Sequence, residues 1–304
     1  VILLNRVGSN NTPGFGLYAG GYTGGASIAT SDRYQFSTNS VKSGASLSAA
    51  RYGIAAAGNT TKGIFAGGGQ GNAVATVTTS DKYAYVSNVM AAGTVLGTAR
   101  YFFGAAGNST LGVWGGGCTS GSTNTTYTDV YTYGTDARVA GTLLGYLGYY
   151  VSAVGNASFA IFGTYYNSSS TTTYTDKYTY SNNARTAATV LSTGIFGSNQ
   201  IGNKTYGLFC GGVNGSIVFV ATVQKYTYAN DIVTAGTSLT AARGHAGACG
   251  DVVVGVILGG EDASNTAVAT SLRYTYNNDT VVAGTSGSTA KFGHAGASSA
   301  PGNF

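Results

Sequence analysis

Two histidines, His245 and His294, occupy the same place in two copies of a short motif, Gly-His-Ala-Gly-Ala. A pair of imidazoles near one axis is a start toward a transition-metal site, but such a site needs three or four ligands with supporting groups behind them. The chain has no other histidine, and its three cysteines, Cys118, Cys210 and Cys249, are too irregularly spaced for a zinc site or a disulfide framework. The histidines are therefore expected to be hydrogen-bonded core residues, and the cysteines small buried hydrophobes. No metal or other cofactor is expected. A Ser/His/Asp order, paired carboxylates and a phosphate-binding loop are all missing from the sequence, so no catalytic residues are assigned.

Charge is scarce, at 8% of residues, and it recurs at fixed places. Arg51, Arg100, Arg243 and Lys291 open one repeated segment, and Arg33, Lys82, Lys177, Lys225 and Arg273 open another. Asp32, Asp81, Asp129 and Asp176 directly precede the second set. Charge pairing within and between repeats is the expected use of such residues. The sharper alternative is that Arg51, Arg100, Arg243 and Lys291 ring an axial mouth and attract an anionic ligand. Two copies, at Gly148 and Ile195, lack the cation, so that ring would be incomplete.

Tyr127, Tyr165, Tyr166 and Tyr174 stand in polar stretches such as "NSSSTTTYT". An aromatic ring exposed in a polar loop offers a stacking platform for a sugar, and these four are the candidate ligand contacts. Sequons such as Asn108-Ser-Thr and Asn167-Ser-Ser are numerous, as chance produces in a chain so rich in Asn, Ser and Thr.

The elements that must carry these residues follow from a repeat. Arg33, Lys82, Val130, Lys177, Lys225 and Arg273 each open a "basic-Tyr-x-aromatic" motif or its variant, at spacings of 49, 48, 47, 48 and 48. Each period holds four short segments: A ("RYGIAAAGN"), B ("GIFAGGG"), C (the Tyr motif) and D ("MAAGTVLG"). A Gly-Asn or Gly-Asp pair joins A to B, and Asn/Asp-rich turns join C to D. Each period therefore reads as a four-stranded antiparallel meander, with positive φ expected at the Gly-Asn turns. A lone meander cannot bury both faces, so copies must pack around an axis. Six copies predict an all-β, six-bladed β-propeller over residues 14–304, with residues 1–13 an N-terminal linker or tail. The first B segment has no A before it and the last A, "KFGHAGAS", has no B after it. The C-terminal strand is thus expected to pair with the N-terminal blade and close the ring. The paired tyrosines of segment C, on one sheet face, are expected to pack against the next blade.

Composition agrees. Gly is abundant (49 residues), yet the hydrophobic fraction is 43%, which excludes a disordered chain. The net charge of +5 comes with no basic run, so nucleic-acid binding is not expected. No apolar run approaches about 18 residues, so no helical membrane insertion is expected. The chain begins with Val and its one methionine is Met90, which suggests a piece of a longer product.

"GIFAGGG", "GLFCGG" and "GVILGG", each followed by the Tyr segment, resemble kelch-type repeats, in which a Gly-Gly pair ends one strand and an aromatic-rich strand follows. The chain departs from that pattern in segment D, where "AGT" stands in place of the usual Trp, and in the fourth copy, where Thr164-Tyr165 replaces Gly-Gly. Tyr/Thr/Gly-rich propellers of this kind also resemble modules of phage tail fibres and bacterial surface proteins. The resemblance implies a non-enzymatic structural or binding module, extracellular or on a virion surface and part of a larger assembly. Such a module would recognise a glycan or protein partner through one loop face, because the B-C connections vary while the strands repeat. The same family resemblance admits an enzyme, such as a copper oxidase or a polysaccharide lyase.

Overall fold

A computed structural model describes residues 14–71, 75–120 and 123–300. Residues 1–13, expected to be a linker or tail, lie outside the described residues.

Small residues make most of the inner strands, with blade 5's Asn199-Gln200-Ile201 the main exception. Ala55–Gly58, Gly104–Gly107, Ser152–Gly155, Asn199–Gly202, Gly247–Gly250 and Ala295–Ser298 are the segment A strands, and each lies beside the next in a closed ring of six. Their Ala, Gly and Ser side chains let six backbones converge near one axis. From each inner strand a sheet runs outward through segments B, C and D. In blade 2 these are Lys62–Ala66, Ser80–Ala84 and Val89–Ala92, all antiparallel neighbours. Blade 1 is assembled from both ends of the chain, with Phe15–Ala19 paired to Ala295–Ser298 in the register Gly16↔Ser298 to Ala19↔Ala295. The result is an all-β, six-bladed propeller of four-stranded antiparallel sheets, closed by the C-terminal strand as expected. Blade 5 adds a short strand, Ile195–Phe196, and extends its B-C hairpin to Tyr206–Asn214 and Phe219–Thr227.

Bulk that the inner strands lack is supplied from B and C. Each boundary between blades holds one apolar cluster, six in all. Between blades 2 and 3, Ile64 and Ala66 meet Phe103, Trp114, Tyr131 and Tyr133. Full burial of each large side chain stabilises the fold by roughly 1.5–3 kcal/mol. The segment C tyrosines pack against the preceding blade, not the next one: Tyr83 and Tyr85 of blade 2 join Leu17 and Phe15 of blade 1. The right-handed twist of the sheets sets which neighbour a given face meets, and alternation alone does not encode it.

The turns divide their chemistry differently from expectation. Positive φ falls at the C-D turns, at Asn39, Asn88, Asp136, Asn183, Asp231 and Asp279, and not at the Gly-Asn pairs. In the A-B turns the Asn side chain does the work instead. Asn108 Oδ1 accepts the backbone N–H groups of Thr110 (2.9 Å) and Leu111 (2.8 Å), while its Nδ2 donates to Ala157 O (2.9 Å) in the next blade. The sequon at Asn108 is therefore the signature of a side-chain-capped turn.

Candidate functional site: the B-C loop face

Arg51, Arg100, Arg243 and Lys291 are buried, at 0 to 4% exposure. Arg51 pairs with Asp81, Arg100 Nη2 lies 2.7 Å from Asp129 Oδ2, and Lys291 Nζ lies 3.1 Å from Asp32 Oδ2. Burial pushes the pKa values of Arg51, Arg100 and Lys291 down, and their aspartates oppose that shift. In blade 6 Leu272 replaces the aspartate, and Arg243 Nη1 instead donates to Gly259 O (2.7 Å) and Thr270 O (3.2 Å). The expected charge pairing holds for Arg51, Arg100 and Lys291, and the alternative, in which these four cations offer a ring to an anionic ligand, is overturned. They tie strands together inside the blades, because a guanidinium that leaves water needs a carboxylate or carbonyls around it.

Tyr165 is likewise corrected. It is fully buried, and its hydroxyl donates to Asp176 Oδ2 at 2.7 Å. The other three candidate tyrosines do reach the surface of the B-C face. Tyr127 and Tyr174 are 47% and 46% exposed, and Tyr166 is half-buried.

Tyr174 stacks on Tyr146 with ring centroids 4.2 Å apart and planes within 5°. The pair walls a groove of about 510 Å³ between the loops of blades 3 and 4, together with Asn124, Leu147, Asn167 and Thr172. Leu147 is 58% exposed. Asn124 Oδ1 and Thr172 Oγ1 are buried and lack a hydrogen-bond partner. Arg185 approaches Tyr146 to 5.9 Å, but its guanidinium is committed to Asp176. The groove thus combines a flat aromatic wall with polar side chains and no charged residue in its lining.

A second feature covers the axis on the same face. The third residue of segment A is left-handed in all six copies: Gly53, Phe102, Tyr150, Gly197, His245 and Gly293 have φ between 50° and 63°. Their backbones, with the N–H of Val151 donating in place of that of Tyr150, close a hydrogen-bonded circle. Gly53 N–H donates to Gly293 O (2.6 Å), Phe102 N–H to Gly53 O (2.7 Å), Val151 N–H to Phe102 O (3.2 Å), Gly197 N–H to Tyr150 O (3.2 Å), His245 N–H to Gly197 O (2.9 Å) and Gly293 N–H to His245 O (2.7 Å). Around it runs a collar of rings from the preceding position and the B-C loops: Phe292, Tyr22, Tyr52, Tyr101, Tyr149, Tyr166 and Phe196. Burial pushes Tyr101 up to about 12 and raises Tyr52, Tyr149 and Tyr150, which keeps the phenols neutral.

His245 stands in this mouth with its Nδ1 2.5 Å from Glu261 Oε2. His294 is deeper: burial and the Lys291 ammonium push its pKa well down, and its Nε2 accepts the Gly247 N–H at 3.1 Å. Among the described residues no group of three or more His, Cys, Asp or Glu side chains is placed to hold a metal ion. The role of His245, Phe102, Tyr150 and Tyr146 escaped sequence reasoning, although one signal was present. Alignment of the six A segments puts Gly three times and a ring three times in a single column.

The fold and face described here define a six-bladed β-propeller with an aromatic-rich loop surface. A solved structure described as "Structure of YjhT" shares the fold, with a TM-score of 0.69 at 11% identity, covering 88% of this chain and 97% of that one. No protein-family model and no curated protein matches the chain.

Proposed function

We propose that the chain is a rigid, non-enzymatic binding module, a kelch-like propeller of the Tyr/Thr/Gly-rich type, displayed outside the cell or on a virion surface as part of a larger assembly. Its ligand is a glycan, taken by the B-C face at the groove between blades 3 and 4. The observation that carries this reading is the parallel Tyr146–Tyr174 stack in a groove that Asn124, Asn167 and Thr172 also line. A sugar ring offers an apolar face to the aromatic wall and hydroxyls to the polar side chains beside it, the mix of apolar surface and a few polar groups that ligand sites use.

The test is binding of a glycan array by the wild type and by Tyr174→Ala, Tyr127→Ser and Tyr166→Ser. Tyr174→Ala should weaken binding by about tenfold or more, the size of one lost stacking or hydrogen-bonding contact, with thermal melting unchanged. Undiminished binding by Tyr174→Ala would reject the groove, and binding of a protein partner in place of any glycan would reject the ligand class.

A further inference from the structure

The six left-handed positions at the axial mouth do not need side chains. Gly53, Gly197 and Gly293 make the hydrogen-bonded circle with none, yet Phe102, Tyr150 and His245 carry rings in a backbone conformation that disfavours them. Circle closure therefore does not explain these three rings. They touch one another: Phe102 and Tyr150 lie 4.1 Å apart between centroids, and Tyr150 and His245 lie 4.6 Å apart.

His245 is also set up for a hydrogen bond that the protein does not make. Glu261 fixes the imidazole through Nδ1, and Nε2 is buried without a partner. Nε2 lies over Gly197, where a Cβ would come within 2.2 Å of it. His245 and Gly197 border a cavity of about 120 Å³ in the axial channel that Ser152, Ser198 and Gln200 also line. That space admits a hydroxyl or a bridging water.

Resting on the carbohydrate reading above, we infer that the axial mouth is a second subsite of the same face. There Phe102 and Tyr150 support a sugar unit, and His245 Nε2 bonds one hydroxyl directly or through a water in the cavity. The two subsites are joined by a single loop. Tyr166 belongs to the collar, and Asn167, Thr172 and Tyr174 of the same connection line the groove. The four strand-opening cations on this face are buried among carboxylates and carbonyls. The ligand class is accordingly an uncharged glycan chain long enough to lie across both subsites.

The experiment uses the whole protein on an array of neutral and anionic polysaccharides, followed by a chain-length series of the oligosaccharide that corresponds to the strongest signal. The wild type should prefer a neutral polymer, bind longer chains at least about tenfold better than the monosaccharide, and lose about tenfold on His245→Gln as well as on Tyr174→Ala. The imidazole nitrogen shifts of wild-type His245 should move when that oligosaccharide is added, which covers the case of a poorly folded variant. Failure of the wild type to bind any glycan defeats the carbohydrate reading itself. Loss on Tyr174→Ala with full binding by His245→Gln and unmoved His245 shifts overturns the axial subsite alone, as does a salt-sensitive preference for anionic polymers.

Discussion

A Cβ on Gly148 would lie 2.8 Å from the Cβ of Tyr165, so the two positions cannot both carry side chains without a shift. In blades 2 and 3 the position of Gly148 holds Arg51 or Arg100, and that of Tyr165 holds Gly68 or Gly117. Blade 4 reverses the arrangement, and the Tyr165 hydroxyl takes over the aspartate that the missing cation would have met. The exchange keeps the strand-end carboxylate satisfied by a different route.

That relationship predicts coupling. Gly148→Arg alone should destabilise by about 2–4 kcal/mol through overpacking and an unpaired charge, and Tyr165→Gly should cost a similar amount through the cavity it leaves. The double variant restores the arrangement of blades 2 and 3 and should recover part of the loss, a coupling of about 1–3 kcal/mol by denaturant unfolding. Simple additivity would show that the two sites are independent.

Arg100→Ala strips Asp129 of its buried ion-pair partner and leaves the partly exposed Arg138, at 3.0 Å, and the Gly97 N–H, both on Oδ1. A stability loss of about 3–5 kcal/mol is expected. Glycan binding should persist at temperatures where the variant is folded. A salt-dependent binding defect with unchanged melting would instead return Arg100 to the ligand site.

Removal of the residues from 290 onward takes away the inner strand of blade 1 and with it the partner of Phe15–Ala19. The exposed edge and the loss of Ala295 and Ala297 from the cluster between blades 1 and 2 should abolish cooperative unfolding and promote aggregation. Unchanged melting of the truncated chain would contradict closure by the C-terminal strand.

His294 links stability to pH. Its folded pKa is well below the ordinary histidine value, because burial and Lys291 disfavour the imidazolium. The unfolded chain takes up a proton near pH ~6.5 and the folded chain does not, so the unfolded state binds more protons below that pH. Stability should therefore fall as pH drops through about 6.5, by up to ~1.4 kcal/mol per pH unit, until the folded pKa is reached. His294→Gln should flatten this slope in unfolding measurements between pH 4.5 and 7.

The architecture was legible because it repeats. Spacings of 47 to 49 residues, turn residues at fixed offsets and an unmatched strand at each end determine blades, count and closure with little help from long-range contacts. The candidate site was less legible, because it depends on which residues meet across blades. Tyr165 and Tyr166 are neighbours in a polar stretch, yet one is buried and the other reaches the surface. The difference lies with Gly148, 17 residues earlier, whose lack of a side chain opens the space for Tyr165. Tyr146 sits in a D-A connection that gave no signal of its own and gains meaning only from its stack with Tyr174. Likewise, the sequence favoured charge pairing for the strand-opening cations but left an anion site open, until burial placed each among carboxylates or carbonyls.

Hydrogen–deuterium exchange with and without the glycan that the wild type binds best reports which face of the propeller the ligand covers. Protection is expected to be confined to the B-C connections of blades 3 and 4 and to the backbone circle at the axial mouth, notably the amides of Asn167, Thr172 and His245. The A-B turns at Asn59, Asn108 and Asn156 on the opposite face should exchange as before. Protection at those turns with none at the B-C loops, or no protection by any glycan, would contradict the assignment of function to this face.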